Sequence, residues 1–164
     1  MSTQTATRIS TLIEMLNLQT RLFSNAISGI SEEHAHQRLN ENTNHIAWLA
    51  GHIVSSRFAM ANLAGLTVQE PYPDLFGNGK GIESQSYPSM SEMTKDWNDI
   101  SEKLVQGLAE LPESTLSEKA PFDLPFGDPS LHGAFAFFVH HEAYTIGQIG
   151  IARRYFGYEA MKYA

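Results

Sequence analysis

Two long stretches with almost no charge constrain this chain more than any other feature. From Thr43 to Ser56 there is no Asp, Glu, Lys or Arg, and from Leu131 to Ala152 the one formal charge is Glu142. A helix with so little polar surface must be covered on most sides by other protein. Each stretch nevertheless carries a histidine, His52 in "AGHI" and His141 in "HHEAY". Buried polar groups need partners, so these two histidines are the first candidates for a functional site.

The rest of the chain supplies what such helices pack against. Residues 7–30 place Ile9, Leu12, Ile13, Leu16, Phe23 and Ile27 at mostly helical spacing, predicting an amphipathic first helix. The apolar second helix is expected over 44–65, capped by Asn42, Thr43 or Asn44 and ended by Gly65. A third helix opens on the capping box Ser89-x-x-Glu92 and runs to about Leu111, with Pro112 beyond its end. Its core stripe is Met93, Trp97, Ile100, Leu104, Leu108 and Leu111. The fourth runs from about Leu131 to Tyr155. Two amphipathic and two apolar helices read as an all-α antiparallel four-helix bundle, expected as a single domain over 1–164.

The connections are long. Residues 31–43 are polar, and His34 and His36 are expected there as solvated loop histidines. Residues 66–88 are rich in proline and glycine, as functional rims and lids often are. "GNGKG" at 77–81 lacks the strand-then-helix context of a phosphate site and reads as a flexible loop tip. The second proline-rich connection, 112–130, is expected to start with a short extended piece.

Charge and composition remove whole classes of function. A formal net charge of −7 with scattered basic residues argues against nucleic acid as a partner. Arg153-Arg154 reads as a charge complement to a helix C-terminus. Without cysteine there is no disulfide, thiolate metal site or cysteine nucleophile, so any metal must be held by His, carboxylate or water. No apolar run reaches the length of a membrane span and the N-terminal residues do not read as a secretory signal, so no membrane partner and a cytoplasmic address are expected.

The segments "NTNHIAWLAGHIVSSR" and "HHEAYTIGQIGIARRYFG" resemble the DinB-like superfamily of damage-inducible and thiol-transferase-like metalloenzymes. The resemblance implies an up-down-down-up bundle with long connecting loops. It also implies a divalent metal, zinc or nickel, held by three histidines, one on the second helix and an His-x-x-x-His pair on the last. These roles fall on His52, His141 and Thr145. The family's "HEAYHIGQ" is "HEAYTIGQ" here, so threonine stands where the third ligand belongs, and any metal should be weakly held or absent. In some relatives the metal activates a low-molecular-weight thiol.

The physical reading runs beside it. Positions i and i+4 share a helix face, which is how two imidazoles converge on one ion. A threonine hydroxyl is a poor zinc or nickel ligand beside imidazole. His140 points about 100° away from His141 around the helix. His45 and Gln148, each seven residues from a histidine, are expected to line the pocket with Trp48 and Thr145, and Glu142 to fix a histidine ring. Trp97, Phe135 and Tyr155 read as core and rim, and His132 as a helix-terminal residue. No catalytic residue is assigned.

Three functions stay open. One is a divalent-metal-dependent transferase or hydrolase acting on a small molecule, with His52 and His141 as ligands. The second is a metal-free pseudo-enzyme or binding module for a small-molecule ligand. In the third, the histidines are satisfied core residues and the function lies in a homodimer or another surface.

Overall fold

Each segment with a helical apolar stripe becomes a helix in the computed structural model, which describes residues 8–76 and 86–163. The long ones are α1 (Ser10–Ile27), α3 (Ile46–Leu63), α4 (Met90–Glu110) and α6 (Leu131–Tyr155). Two short helices, α2 (Glu32–His36) and α5 (Glu113–Leu116), lie in the connections. The capping box forms in full: the Ser89 hydroxyl accepts from the Glu92 N–H while the Glu92 carboxylate accepts from the Ser89 N–H. Gly65, at φ +85°, follows the C-terminal end of α3 in the left-handed region that glycine enters without a Cβ penalty.

The cross-helix contacts fix the directions. From Arg8 just before α1 through Gln19 and Ala26 within it, these residues meet His132, Val139 and Arg153 in that order, so α1 and α6 run parallel. Phe23 lies against Trp97, and Glu32 beyond the end of α1 meets Met90 at the start of α4, so α1 and α4 are antiparallel. His45 lies near Tyr87, and Leu66 lies against Gly107, so α3 and α4 are parallel. The order is therefore up-down-down-up. Parallel helices that are consecutive among the long ones need a connection that travels the length of the bundle. That requirement explains the excursion between α3 and α4, whose tip, "GNGKG", lies outside the described residues.

A buried ion pair ties the four long helices together. Arg57 and Glu142 have fully buried side chains, and the guanidinium meets the carboxylate through Nε at 2.8 Å and Nη2 at 2.9 Å. Its other N–H groups reach the Leu16 carbonyl (3.1 Å), the Thr20 hydroxyl (2.7 Å) and the Ser101 hydroxyl. All five donors of the fork are used, with acceptors from α1, α4 and α6. The guanidinium also stacks over Trp97, 3.6 Å from the ring centre. Burial pushes the Glu142 carboxyl up from its usual range, and the Arg57 charge opposes that shift. Glu142 therefore does not fix a histidine ring: its two oxygens are taken by Arg57.

Other expectations change for physical reasons. The polar 31–43 connection holds a helical turn because Ser31 caps it, accepting from the His34 N–H. His34 is not a solvated loop residue. It stacks on Phe156, with centroids 4.8 Å apart, and its Nδ1 is 2.8 Å from the Tyr158 hydroxyl. The start of the 112–130 connection is helical, and the extended contact comes later, as a bridge between Lys119 and Ser130. Arg153 does more than complement a helix end, because it donates to the Ala26, Ser28 and Glu159 carbonyls and so holds the C-terminal segment against α1. No helix among the described residues is long and apolar enough to cross a membrane.

Candidate functional site

The two histidines singled out by their apolar surroundings meet. His52 on α3 and His141 on α6 face each other with their Nε2 atoms 3.0 Å apart. The antiparallel crossing that pairs Arg57 with Glu142 also brings this pair together. Since His141 adjoins Glu142 in sequence, the ion pair fixes the register and rotation at which His141 is presented.

The His52 ring is held from two sides. Trp48, one turn earlier on α3, stacks on it at 4.7 Å between centroids with 13° between planes. Its Nδ1 lies 3.2 Å from the Phe76 carbonyl, a group that only accepts, so Nδ1 carries the proton. Phe76 reaches this position because its ring packs directly on Gly51, where a Cβ would stand 2.1 Å from the ring. Gly51 is a site-supporting residue that periodicity alone does not reveal. The signal available in the sequence is a glycine next to a histidine inside an otherwise good helix, where glycine costs stability unless something approaches closely.

This tautomer decides the next one. With Nδ1 of a neutral His52 protonated, its Nε2 is an acceptor, so the Nε2–H of His141 must donate across the 3.0 Å gap. The Nδ1 of His141 is then a bare acceptor, and it is buried without a partner in the protein. The indole N–H of Trp48 is likewise buried and unpaired. Burial lowers the pKa of both histidines, that of His141 to about 4, with the neighbouring His52 and His140 charges acting in the same direction. Near neutral pH the pair is uncharged.

A three-histidine metal centre needs three convergent ring nitrogens, and His52 and His141 bring two together. Two nitrogens 3.0 Å apart, each about 2.05 Å from a shared ion, subtend about 95° at it, which suits two neighbouring ligands. The third position does not fit. Thr145 is on the right face, but its hydroxyl donates to the His141 carbonyl at 2.9 Å. Ligation through both Nε2 atoms would also put a proton on His141 Nδ1, where no protein acceptor stands, whereas metal-bound imidazoles normally donate that N–H to a partner. Among the described residues no group of three His, Cys, Asp or Glu side chains could hold an ion. His140 is exposed on another face, as its position predicts.

The pair opens into a cavity of about 240 Å³, lined also by Trp48, Tyr144, Thr145 and Gln148. A second cavity of about 270 Å³ adjoins it and shares Asn44, Leu49 and Gln148 as common wall. Trp48, Thr145 and Gln148 line the first cavity. His45 does not: its side chain turns into the backbone and caps α3, accepting from the Trp48 N–H at 2.9 Å. His45, not Asn42, Thr43 or Asn44, is thus the N-cap of α3. Tyr144 stands exposed at the cavity mouth.

Comparison with known proteins agrees with the fold. A family model described as the DinB superfamily matches residues 15–149. No curated protein matches the chain.

Proposed function

The chain belongs to the DinB superfamily, and from that premise we propose that it is a small-molecule binding module that keeps the superfamily's bundle and pocket without its three-histidine metal centre. One observation carries the reading: the His52–His141 pair closes on itself through its Nε2 atoms while the Thr145 hydroxyl is returned to its own helix. Such a pair is neutral, and one of its ring nitrogens stands buried without a donor. Its chemistry is hydrogen bonding to an organic ligand, with the imidazoles able to pass a proton between them and that ligand. The lining of both cavities supports a small ligand, for the shared wall carries amide side chains and the flanks are apolar.

A second reading, a divalent-metal-dependent transferase or hydrolase, is favoured by one specific feature. His52 has the arrangement of a metal-ligating imidazole, with its remote nitrogen held by a backbone carbonyl and the near one turned to the other histidine. In that case His52 and His141 would hold zinc or nickel, which would supply Lewis-acid activation of a bound thiol or water.

Metal content of tag-free protein, purified without chelator, decides between them when measured beside Thr145→His. Thr145 lines the cavity, so an imidazole there has space to turn toward the pair. The expected result is substoichiometric metal in the natural chain and a sharp rise in zinc or nickel affinity in the variant. Near-stoichiometric metal in the natural chain, lost on His52→Ala, would overturn the binding-module reading in favour of the second.

A further inference from the structure

The exposed side of α6 is unlike that of α4. Along α4 the exposed positions include Glu92, Lys95, Asp99, Glu102, Lys103 and Glu110, an ordinary solvated face. On α6, from His140 to Ile151, they are His140, Ala143, Tyr144, Gly147 and Ile151, without one Asp, Glu, Lys or Arg. Tyr144, Ile151 and Tyr155 are 65%, 66% and 65% exposed. Large side chains this accessible, gathered on one uncharged helix face, mark a contact surface.

Spacing shows what kind of surface it is. Phe137, His141, Tyr144, Gln148, Ile151 and Tyr155 follow one another at intervals of 4, 3, 4, 3 and 4 residues. A repeat averaging 3.5 residues suits a second helix wound against the first, as in a coiled-coil seam. The stripe runs roughly 27 Å at 1.5 Å per residue. Phe137, His141 and Gln148 are half-buried in it, and the other three side chains project. Beside it Ala143 and Gly147 leave room for close approach, and a Cβ at Gly147 would meet nothing within 4 Å.

A second copy of α6 fits this stripe. The order of intervals reads the same in both directions, so two copies related by a two-fold axis at residue 146 match their stripes antiparallel. Tyr144 then faces the partner's Gln148, His141 the partner's Ile151, and Phe137 the partner's Tyr155. A net charge of −7 sets two copies against each other over most of their surface, whereas this face keeps acidic groups out of the contact, Glu142 being buried with Arg57. At 150–250 Å² per aromatic side chain, Tyr144 and Tyr155 each leave roughly 100–160 Å² accessible. With Ile151 the three offer about 300–450 Å² per copy, near half of the ~800 Å² that a stable interface takes from each partner. The rest has to come from the half-buried stripe residues and their flanks. We propose that the chain forms an antiparallel homodimer through α6, in which Ile151 of the partner subunit stands over His141 and completes the wall of the histidine cavity. This pairing is independent of whether the cleft takes an organic ligand or a metal.

Sedimentation equilibrium of the full chain tests the dimer, and disulfide trapping tests its register. The natural chain should be mostly dimeric at about 100 μM, where an interface of modest size still associates. Ile151→Glu, a change at an exposed position, should raise the dimer Kd at least about tenfold by placing an unpaired charge in the seam, with the circular dichroism of the folded chain unchanged. Because the chain has no cysteine, introduced thiols report one contact at a time. Gly147→Cys sets the two thiols roughly 3 Å apart along the paired helices and should crosslink under mild oxidation, whereas Tyr155→Cys sets them roughly 27 Å apart and should not.

A natural chain that stays monomeric at that concentration would overturn the inference. So would a dimer that survives Ile151→Glu, or one that Gly147→Cys fails to crosslink, since the contact would then lie on another face. Tyr155→Cys crosslinking as fast as Gly147→Cys would set the helices parallel, and the partner's Ile151 could not reach His141.

Discussion

Replacing Glu142 by Gln tests the buried ion pair at its centre. The substitution keeps the shape and removes the negative charge, leaving the Arg57 guanidinium with no counter-ion at a fully buried position. Two charge-assisted bonds, of 2.8 and 2.9 Å, are lost or weakened. Bonds to charged groups contribute roughly 1.5–3 kcal/mol each, and breaking a buried pair from one side costs about 3–5 kcal/mol. We expect a loss of about 3 kcal/mol or more, a large share of the roughly 5–15 kcal/mol that holds a domain together. At about 2–4 °C per kcal/mol for a chain of this size, Tm should fall by roughly 6–12 °C. Urea and thermal unfolding measure both quantities.

The double variant Arg57→Met/Glu142→Leu should recover most of the loss. Once the guanidinium is gone, the Thr20 and Ser101 hydroxyls still donate to the Leu16 and Trp97 carbonyls, so neither is orphaned. A single-variant loss below about 1 kcal/mol, or a double variant worse than the single, would refute the view that the cost is an uncompensated charge.

Two further outcomes follow from the same geometry. Burial, with the His36 and Arg38 charges adding to it, lowers the pKa of His45 from 6.5 to about 4. The unfolded chain therefore takes up the proton first as pH falls, so this contribution is complete above pH 6.5 and is lost towards pH 4, by at most about 3 kcal/mol. His45→Asn keeps a capping side chain and does not titrate; its stability relative to the natural chain should improve on acidification, and a pH-independent difference in urea midpoint would contradict the assignment. Gly51→Ala should push Phe76 off its seat, since the added Cβ would meet the ring at 2.1 Å. A cost of roughly 1–3 kcal/mol is expected, with a changed nitrogen-15 pattern for His52 as its Nδ1–H loses the Phe76 carbonyl. An unaltered His52 spectrum would show that the carbonyl does not set the tautomer.

The helices were legible because their causes are local. The capping box at Ser89, the 3.6-residue recurrence through Met93, Trp97, Ile100 and Leu104, and the glycine after α3 act within a few residues of chain. Resemblance to a family added the bundle order, and the cross-helix pairs bear it out. His52 and His141 stood out because histidine is out of place in a nearly charge-free stretch, and helical spacing set Thr145 and Gln148 on the face of His141. Spacing misled for His45: the face it shares with His52 also lies at the helix end, where capping the backbone wins over facing the cleft.

Sequence by itself therefore determined which four long segments are helical, which two are interior, and which histidines lack an obvious reason to be there. The tertiary structure alone decided the partners. Glu142 belongs to Arg57, 85 residues away, and not to the histidine beside it. The tautomers of His52 and His141 are set by a carbonyl in a loop that arrives over Gly51. No local pattern encodes these choices, because a hydrogen bond between distant segments depends on where the whole bundle brings them, and the low dielectric of the interior makes that one arrangement far more favourable than leaving either group unpaired.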